Sequence, residues 1–231
     1  MPRPKSASPE SAAGHEKRRR QPRTARPKEE VSTLRRAQRE VTRQRLEEAA
    51  LAVFAEAGFS SATIDQIAAR ADVSRATFYF HFPSKVDVVA ALLAERRPAV
   101  AEFYSRLDEA VATRRLENVE AWIKDALADF DKNATLMSAT HQIAAADPEH
   151  LARLGAGFRH IAHMPKLTSA CPPEHQAALE FRLNLMVALL DRTWTRLKSP
   201  DLDPVLPPQD VRRTLAEIFM ATLSYFGNGS A

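Results

Sequence analysis

Cysteine is nearly absent from these 231 residues, glycine is scarce, and no long apolar run occurs. The single cysteine, Cys171, excludes an intrachain disulfide and a cysteine-rich zinc site, which suits a reducing compartment. Six glycines are few for a sheet protein, whose strands need many tight turns, so helices are favoured. The longest uninterrupted apolar stretches, such as Val88 to Ala94, are too short to cross a bilayer, and the first thirty or so residues lack the apolar segment of a secretory signal. The expectation is a soluble, cytoplasmic protein. Phosphate-binding loops, nucleophile elbows and dinucleotide fingerprints are missing too, so neither an enzyme nor a cofactor is expected. His160 and His163 stand three apart, with His141, His150 and His175 elsewhere, but no carboxylate or cysteine completes a zinc spacing; no metal is expected.

What the chain does have is an uneven charge. Its first 45 residues carry 14 Lys and Arg against 5 Asp and Glu, a net +9, while the remainder is −5. The overall pI of about 9.4 is therefore made by the N-terminal end. A basic arm on a mildly acidic body suits a polyanionic partner. Residues 1–36, rich in Pro, Ser, Arg, Lys and Glu, hold too little apolar surface to offset the entropy of ordering and read as a disordered arm. Arg18, Arg19, Arg20, Arg23 and Arg26 either add DNA affinity by counterion release, reach a minor groove, or form a solvated tail.

From Val41 a helical period sets in. Leu46, Ala49, Ala50, Val53, Phe54 and Ala57 form one apolar stripe, ended by Gly58. Thr63 stands as N-cap before a short helix with Ile64, Ile67, Ala68 and Ala71 on one face. After a break at Asp72-Val73, Ser74 caps a third short helix, Arg75 to Phe80, and Ser84 caps a fourth, which Pro98 should kink or end. The period then continues through about 99–113, 117–131, 134–146 and 148–162. A loop around Cys171-Pro172-Pro173 leads to long helices over about 174–197 and 209–226. Strand alternation is missing throughout, so the class is all-α.

Two short helices joined by a tight turn, with Ile67, Ala68, Ala71, Val73 and Phe78 placed to pack them at a steep angle, spell a helix-turn-helix. Small Ala68 lets the helices approach, and Asp72 tolerates the left-handed geometry of the turn. The helix start at Thr63 offers N–H groups and a hydroxyl to a phosphate. On the second helix, the recognition helix, Ser74, Arg75, Ala76 and Thr77 are the candidates for meeting DNA. Arg75 has the fork for a guanine edge and Thr77 the methyl for a thymine.

The run RLEEAALAVFAEAGFSSATIDQIAARADVSRATFYFHFPSKVDVV closely resembles the DNA-binding domain of TetR-family repressors over its whole length. Ala76 stands where that family often has glycine, and Phe78 where it often has Leu or Ile. The resemblance implies that Tyr79, His81 and Lys85 hold the phosphate backbone. For Tyr79 a buried core role stands beside this one, and for His81 a bracing role. It also implies a three-part chain: the arm at 1–36, the helix-turn-helix domain at 37–86, and a helical ligand-binding and dimerisation domain at 87–231. The pieces TFYFHFPSK, LNLMVALLDRTW and LAEIFMATLSYFG resemble parts of a mycobacterial repressor of that family with an apolar ligand tunnel.

Trp122, Phe130, Met137, Phe158, Phe181, Met186 and Trp194 are candidates to line an apolar pocket, with Asn184 to orient a ligand. Ordinary core packing for the aromatics, and a solvent-facing amide for Asn184, are the competing readings. The last two long helices offer apolar faces to a four-helix dimer interface. The expected function is a homodimeric repressor released from a near-palindromic double-stranded DNA operator by a small apolar ligand. The alternative is a nucleoid-type protein that coats DNA through its basic arm.

Overall fold

The computed structural model describes residues 28–147, 149, 160–198 and 207–223, and every regular element among them is helical. Phe158, His150, the arginines of the arm and the Pro-rich stretch before the last helix lie outside the described residues. The chain divides into two compact units, Met1–Glu40 and Val41–Ala231. The described part of the first is the opening of helix α1, Lys28–Ala57. That start corrects the arm's extent, since residues 28–36 are helical. No Gly or Pro interrupts 28–57, and once the packed turns from Leu46 onward nucleate the helix, each further residue gains a hydrogen bond at little cost.

The second unit continues with α2 (Ile64–Arg70), α3 (Arg75–His81), α4 (Lys85–Ala112), α5 (Leu116–Lys132) and α6 (Ala134–Ala146). Among the described residues there follow a short 3-10 turn at His160–His163, α7 (Pro165–Ala170), a second such turn at Pro173–His175, α8 (Gln176–Leu197) and α9 (Pro208–Leu223). No described helix is long and apolar enough to cross a membrane.

Pro98 does not end α4, which runs on to Ala112. Proline removes one hydrogen bond from the ladder, but this helix is held at both ends by burial: Val88, Val89 and Leu92 in one core, Tyr104, Leu107 and Val111 in another. Packing here outweighs a single lost bond. The six-residue α7 falls inside what reads as loop. It has no period of its own to detect; its first turn is capped from a distance by buried Asp108 on α4, which accepts from the Lys166 and Leu167 amides at 2.8 Å each.

Two apolar cores organise the unit. One joins α4, α5, α7, α8 and α9 around Leu107, Trp122, Ile123, Leu183 and Phe219. The other is built by α1 through the start of α4 around Leu46, Ile67, Phe78 and Val88, and it includes Leu136, Ala139 and Ile143 of α6. Helix α6 thus closes the helix-turn-helix core.

Candidate nucleic-acid interface

Each cap read from the sequence forms. Thr63 makes a reciprocal capping box with Gln66, whose amide donates to the Thr63 hydroxyl at 3.2 Å while its side chain accepts from the Thr63 amide at 2.8 Å. The Ser74 hydroxyl accepts from the Thr77 amide at 3.0 Å and pairs with the Thr77 hydroxyl at 2.8 Å. Ser84 accepts from the Val86 and Asp87 amides. Gly58 and Asp72 take left-handed φ values of 75° and 54°, as chain reversals after α1 and α2 require. Around Asp72 the Val73 amide donates to Ala68 and the Asp72 amide to Ala69, the paired bonds of a Schellman turn. Arg45 adds a bond to the Ala71 carbonyl at 2.6 Å, tying α1 to that turn.

The recognition helix α3 presents its side chains in strict rotation. Phe78 is fully buried, with Phe82 behind it at 6.0 Å between centroids. Arg75, Ala76, Tyr79 and Phe80 are exposed, and Thr77 and His81 are half-buried. Tyr79, at 45% exposure, is no core residue, although its ring still abuts Phe78 edge-on at 5.8 Å. Arg75 is already oriented: Asp65 on α2 accepts from its Nη1 at 2.9 and 3.1 Å, and Tyr79 lies beneath it, ring centroid 5.6 Å from the guanidinium carbon. The Tyr79 hydroxyl first, and then the Asp65 charge, raise the Arg75 pKa above its ordinary value. Asp65 and the 65%-exposed Phe80 are the residues that motif reading passes over. Neither carries a signal in the helical period, because Asp65 acts across the turn and Phe80 is simply left outside.

Lys85 is engaged within the domain. Its ammonium donates to the carbonyls of Phe59, Ser60 and Ala62 at 2.6, 3.1 and 3.0 Å and lies 4.5 Å from the Phe59 ring centroid. With all three protons so engaged, Lys85 is a strut for the α1–α2 loop. Its partial burial lowers the ammonium's pKa. The same loop is held from the other side by Gln142 of α6, whose Oε1 accepts from the Ser60 amide and hydroxyl at 2.9 Å each. Replacing Gln142 by Ala removes both bonds, and amide exchange at Ser60 is then expected to quicken about tenfold, the equivalent of one lost bond of roughly 1–1.5 kcal/mol. Unchanged exchange at Ser60 would show that the tether carries no load.

Of the candidate pocket residues, Trp122, Phe130 and Met137 line a cavity of about 520 Å³ between α4, α5 and α6, together with Phe103, Tyr104 and Leu190. Trp194 lies beside it, buried, its ring 5.8 Å from Phe130 and its indole N–H bonded to Asp131 at 2.8 Å. Met186 is buried in the core of the C-terminal helices. Phe181 and Asn184 do not join the cavity; both are exposed on α8, Phe181 at 63%. The helical period that places Leu179, Leu183 and Met186 inside turns these two outward.

A capped, seven-residue helix seated on a buried Phe, with an oriented Arg on its outer face and a Schellman turn before it, defines a helix-turn-helix of the DNA-binding class. Residues 46–92 match the family described as bacterial regulatory proteins, tetR family. Over 61 residues it is 51% identical to the HTH-type transcriptional regulator SrpR of Pseudomonas putida and 48% identical to the uncharacterized HTH-type transcriptional regulator TtgW of the same species. These matches span 26% of this chain, and 29% and 46% of those proteins. A TetR-family regulator from Streptomyces coelicolor superposes with a TM-score of 0.59 at 21% identity, covering 81% of this chain and 82% of that one. A putative TetR-family regulator from Mesorhizobium loti gives 0.54 at 15% identity, over 81% and 96%. The resemblance in sequence thus belongs to the helix-turn-helix, and the likeness of the remaining helices is one of fold.

Proposed function

We propose that the protein is a homodimeric transcriptional repressor that reads a near-palindromic operator with α3 and releases it when a small, largely apolar ligand enters the cavity between α4, α5 and α6. The observation that carries the DNA-binding half is the α3 surface, where Arg75 is presented on a firmly seated helix. Ser74, Ala76, Thr77 and Tyr79 flank it, and Thr63 and His81 stand at the margins as phosphate-side contacts. Dimerisation is supported by Phe181, Leu185 and Ile218, large apolar side chains left exposed on α8 and α9. The mycobacterial repressor that the C-terminal segments resemble, the ethionamide-resistance repressor, has an apolar ligand tunnel, which fits the same reading.

Ligand response is supported by α6. Its Met137 lines the cavity and Asn133, just before it, accepts a bond from Arg96 of the lining, while Leu136, Ala139 and Ile143 sit in the helix-turn-helix core. A ligand that shifts α6 therefore acts on both.

Selection of binding sites from random DNA, followed by footprinting, tests the DNA-binding half. Wild type should protect a bounded two-fold site. Arg75→Ala should relax discrimination at one position per half-site by about 1–3 kcal/mol while leaving the site length unchanged. Unbounded protection, unaffected by Arg75→Ala, would favour a DNA-coating protein instead.

A further inference from the structure

Two ion pairs stand on the rim of the 520 Å³ cavity, and they are built differently. Arg96 bonds Asp129 at 2.6 Å and Asn133 at 2.5 Å, and Asn133 in turn holds Asp129, so this guanidinium is locked in a three-residue network. Among the described residues Arg106 bonds Asp125 alone, at 3.3 Å, with both side chains more than half exposed. Its guanidinium carbon lies 5.1 Å from the Phe103 ring centroid. That ring is fixed from behind: Trp122 lies 4.5 Å away between centroids, and its indole N–H donates to the Phe103 carbonyl at 2.9 Å. Arg106, Trp122 and Asp125 also line a neighbouring hollow, so the Arg106 side chain is the partition between two open spaces.

We infer that the cavity takes a ligand with a single positive charge on an apolar body, and that its charge replaces the Arg106 guanidinium between the Phe103 ring and the Asp125 carboxylate. This rests on the ligand-responsive reading above. Displacing Arg106 costs little, because an exposed ion pair contributes about 0–1 kcal/mol and an exposed cation on a ring about 0.5–1 kcal/mol. The cation that takes its place recovers both contacts in a drier setting, and its body covers Ala126, Phe130, Met137 and Leu190. Charge balance points the same way. The lining holds Glu102, Asp125 and Asp129 against Arg96, Arg106 and Lys132, so when Arg106 swings out the rim is left net negative. An anionic ligand finds the better-placed guanidinium, Arg96, already locked.

Three probes of one shape separate the possibilities: benzyltrimethylammonium, its neutral isostere neopentylbenzene, and phenylmethanesulfonate. Each is titrated against the full chain by tryptophan fluorescence and by release of footprinted DNA. The ammonium should bind about tenfold more tightly than the neutral isostere, the worth of the Asp125 ion pair and the Phe103 ring contact acting together on one cation, and the sulfonate more weakly still. Asp125→Asn should cut the preference for the ammonium severalfold and Arg106→Ala should strengthen its binding, with thermal melting unchanged because both side chains are largely exposed. Neutral binding equal to or tighter than cationic, or a preference that Asp125→Asn leaves unchanged, overturns the charge assignment while leaving the cavity as a ligand site. Failure of all three probes to bind overturns the charge assignment and the ligand-responsive reading together, and the footprint without ligand reports separately whether the DNA-binding reading stands.

Discussion

Replacing Phe78 by Ala is expected to cost about 3–5 kcal/mol of stability and to abolish DNA binding, although Phe78 itself faces away from any groove. Helix α3 has seven residues, far fewer than the 12–15 or so an isolated helix needs to persist in water. Its helicity therefore comes from its seat. Phe78 is that seat, fully buried and in ring contact with Tyr79 and Phe82. Domain stabilities are of the order of 5–15 kcal/mol, so the loss takes a large share of the whole. Phe78→Leu, which keeps most of the volume, should lose far less and retain a bounded footprint. Thermal melting together with footprinting checks the pair; an alanine variant that melts like the parent would show that something other than Phe78 anchors the helix.

The second large effect belongs to Lys85. Lys85→Met keeps the aliphatic stem and deletes three charge-assisted bonds to Phe59, Ser60 and Ala62. The site is partly open, so water can reach the stranded carbonyls and the expected cost is about 1–3 kcal/mol rather than the sum of three full bonds. A strut and a phosphate contact leave different marks. For a strut, the melting temperature falls and the salt dependence of DNA affinity keeps its slope. For a phosphate contact, melting is unchanged and the slope drops by about one counterion. A lowered slope with unchanged melting would restore Lys85 to the DNA.

Much of the helix-turn-helix is legible in the chain's letters because its signals are local. Thr63, Ser74 and Ser84 announce caps by their chemistry, Gly58 and Asp72 announce left-handed turns, and Ile67, Ala68 and Phe78 fall on one face by simple period. Arg75 is exposed on α3 as expected, yet the Asp65 that orients it is ten residues away and off any pattern. The Lys85 strut is hidden for the same reason: its three acceptors are backbone carbonyls more than twenty residues back, and a carbonyl has no letter in a sequence. In the C-terminal half, aromatic letters alone do not separate Trp122 in the cavity from Phe181 on the surface. Helical phase does, since Phe181 is two residues from each of the inward Leu179 and Leu183. Arg96, Arg106, Asp125 and Asp129 belong to α4 and α5, whose mutual register only the packed structure gives.

The three α6 side chains in the second core set a limit on how this molecule can be taken apart. Leu136, Ala139 and Ile143 are each at least 95% covered where they meet the core of the first four helices. A fragment cut after residue 92 would keep every residue proposed to face DNA and still open a trench along its own interior. Grafting this DNA-reading head onto another body therefore requires carrying 134–146, or a surrogate helix of the same apolar face, across with it. In engineering terms the transplantable part is discontinuous in the chain, and the cavity and the helix-turn-helix share a wall instead of a hinge.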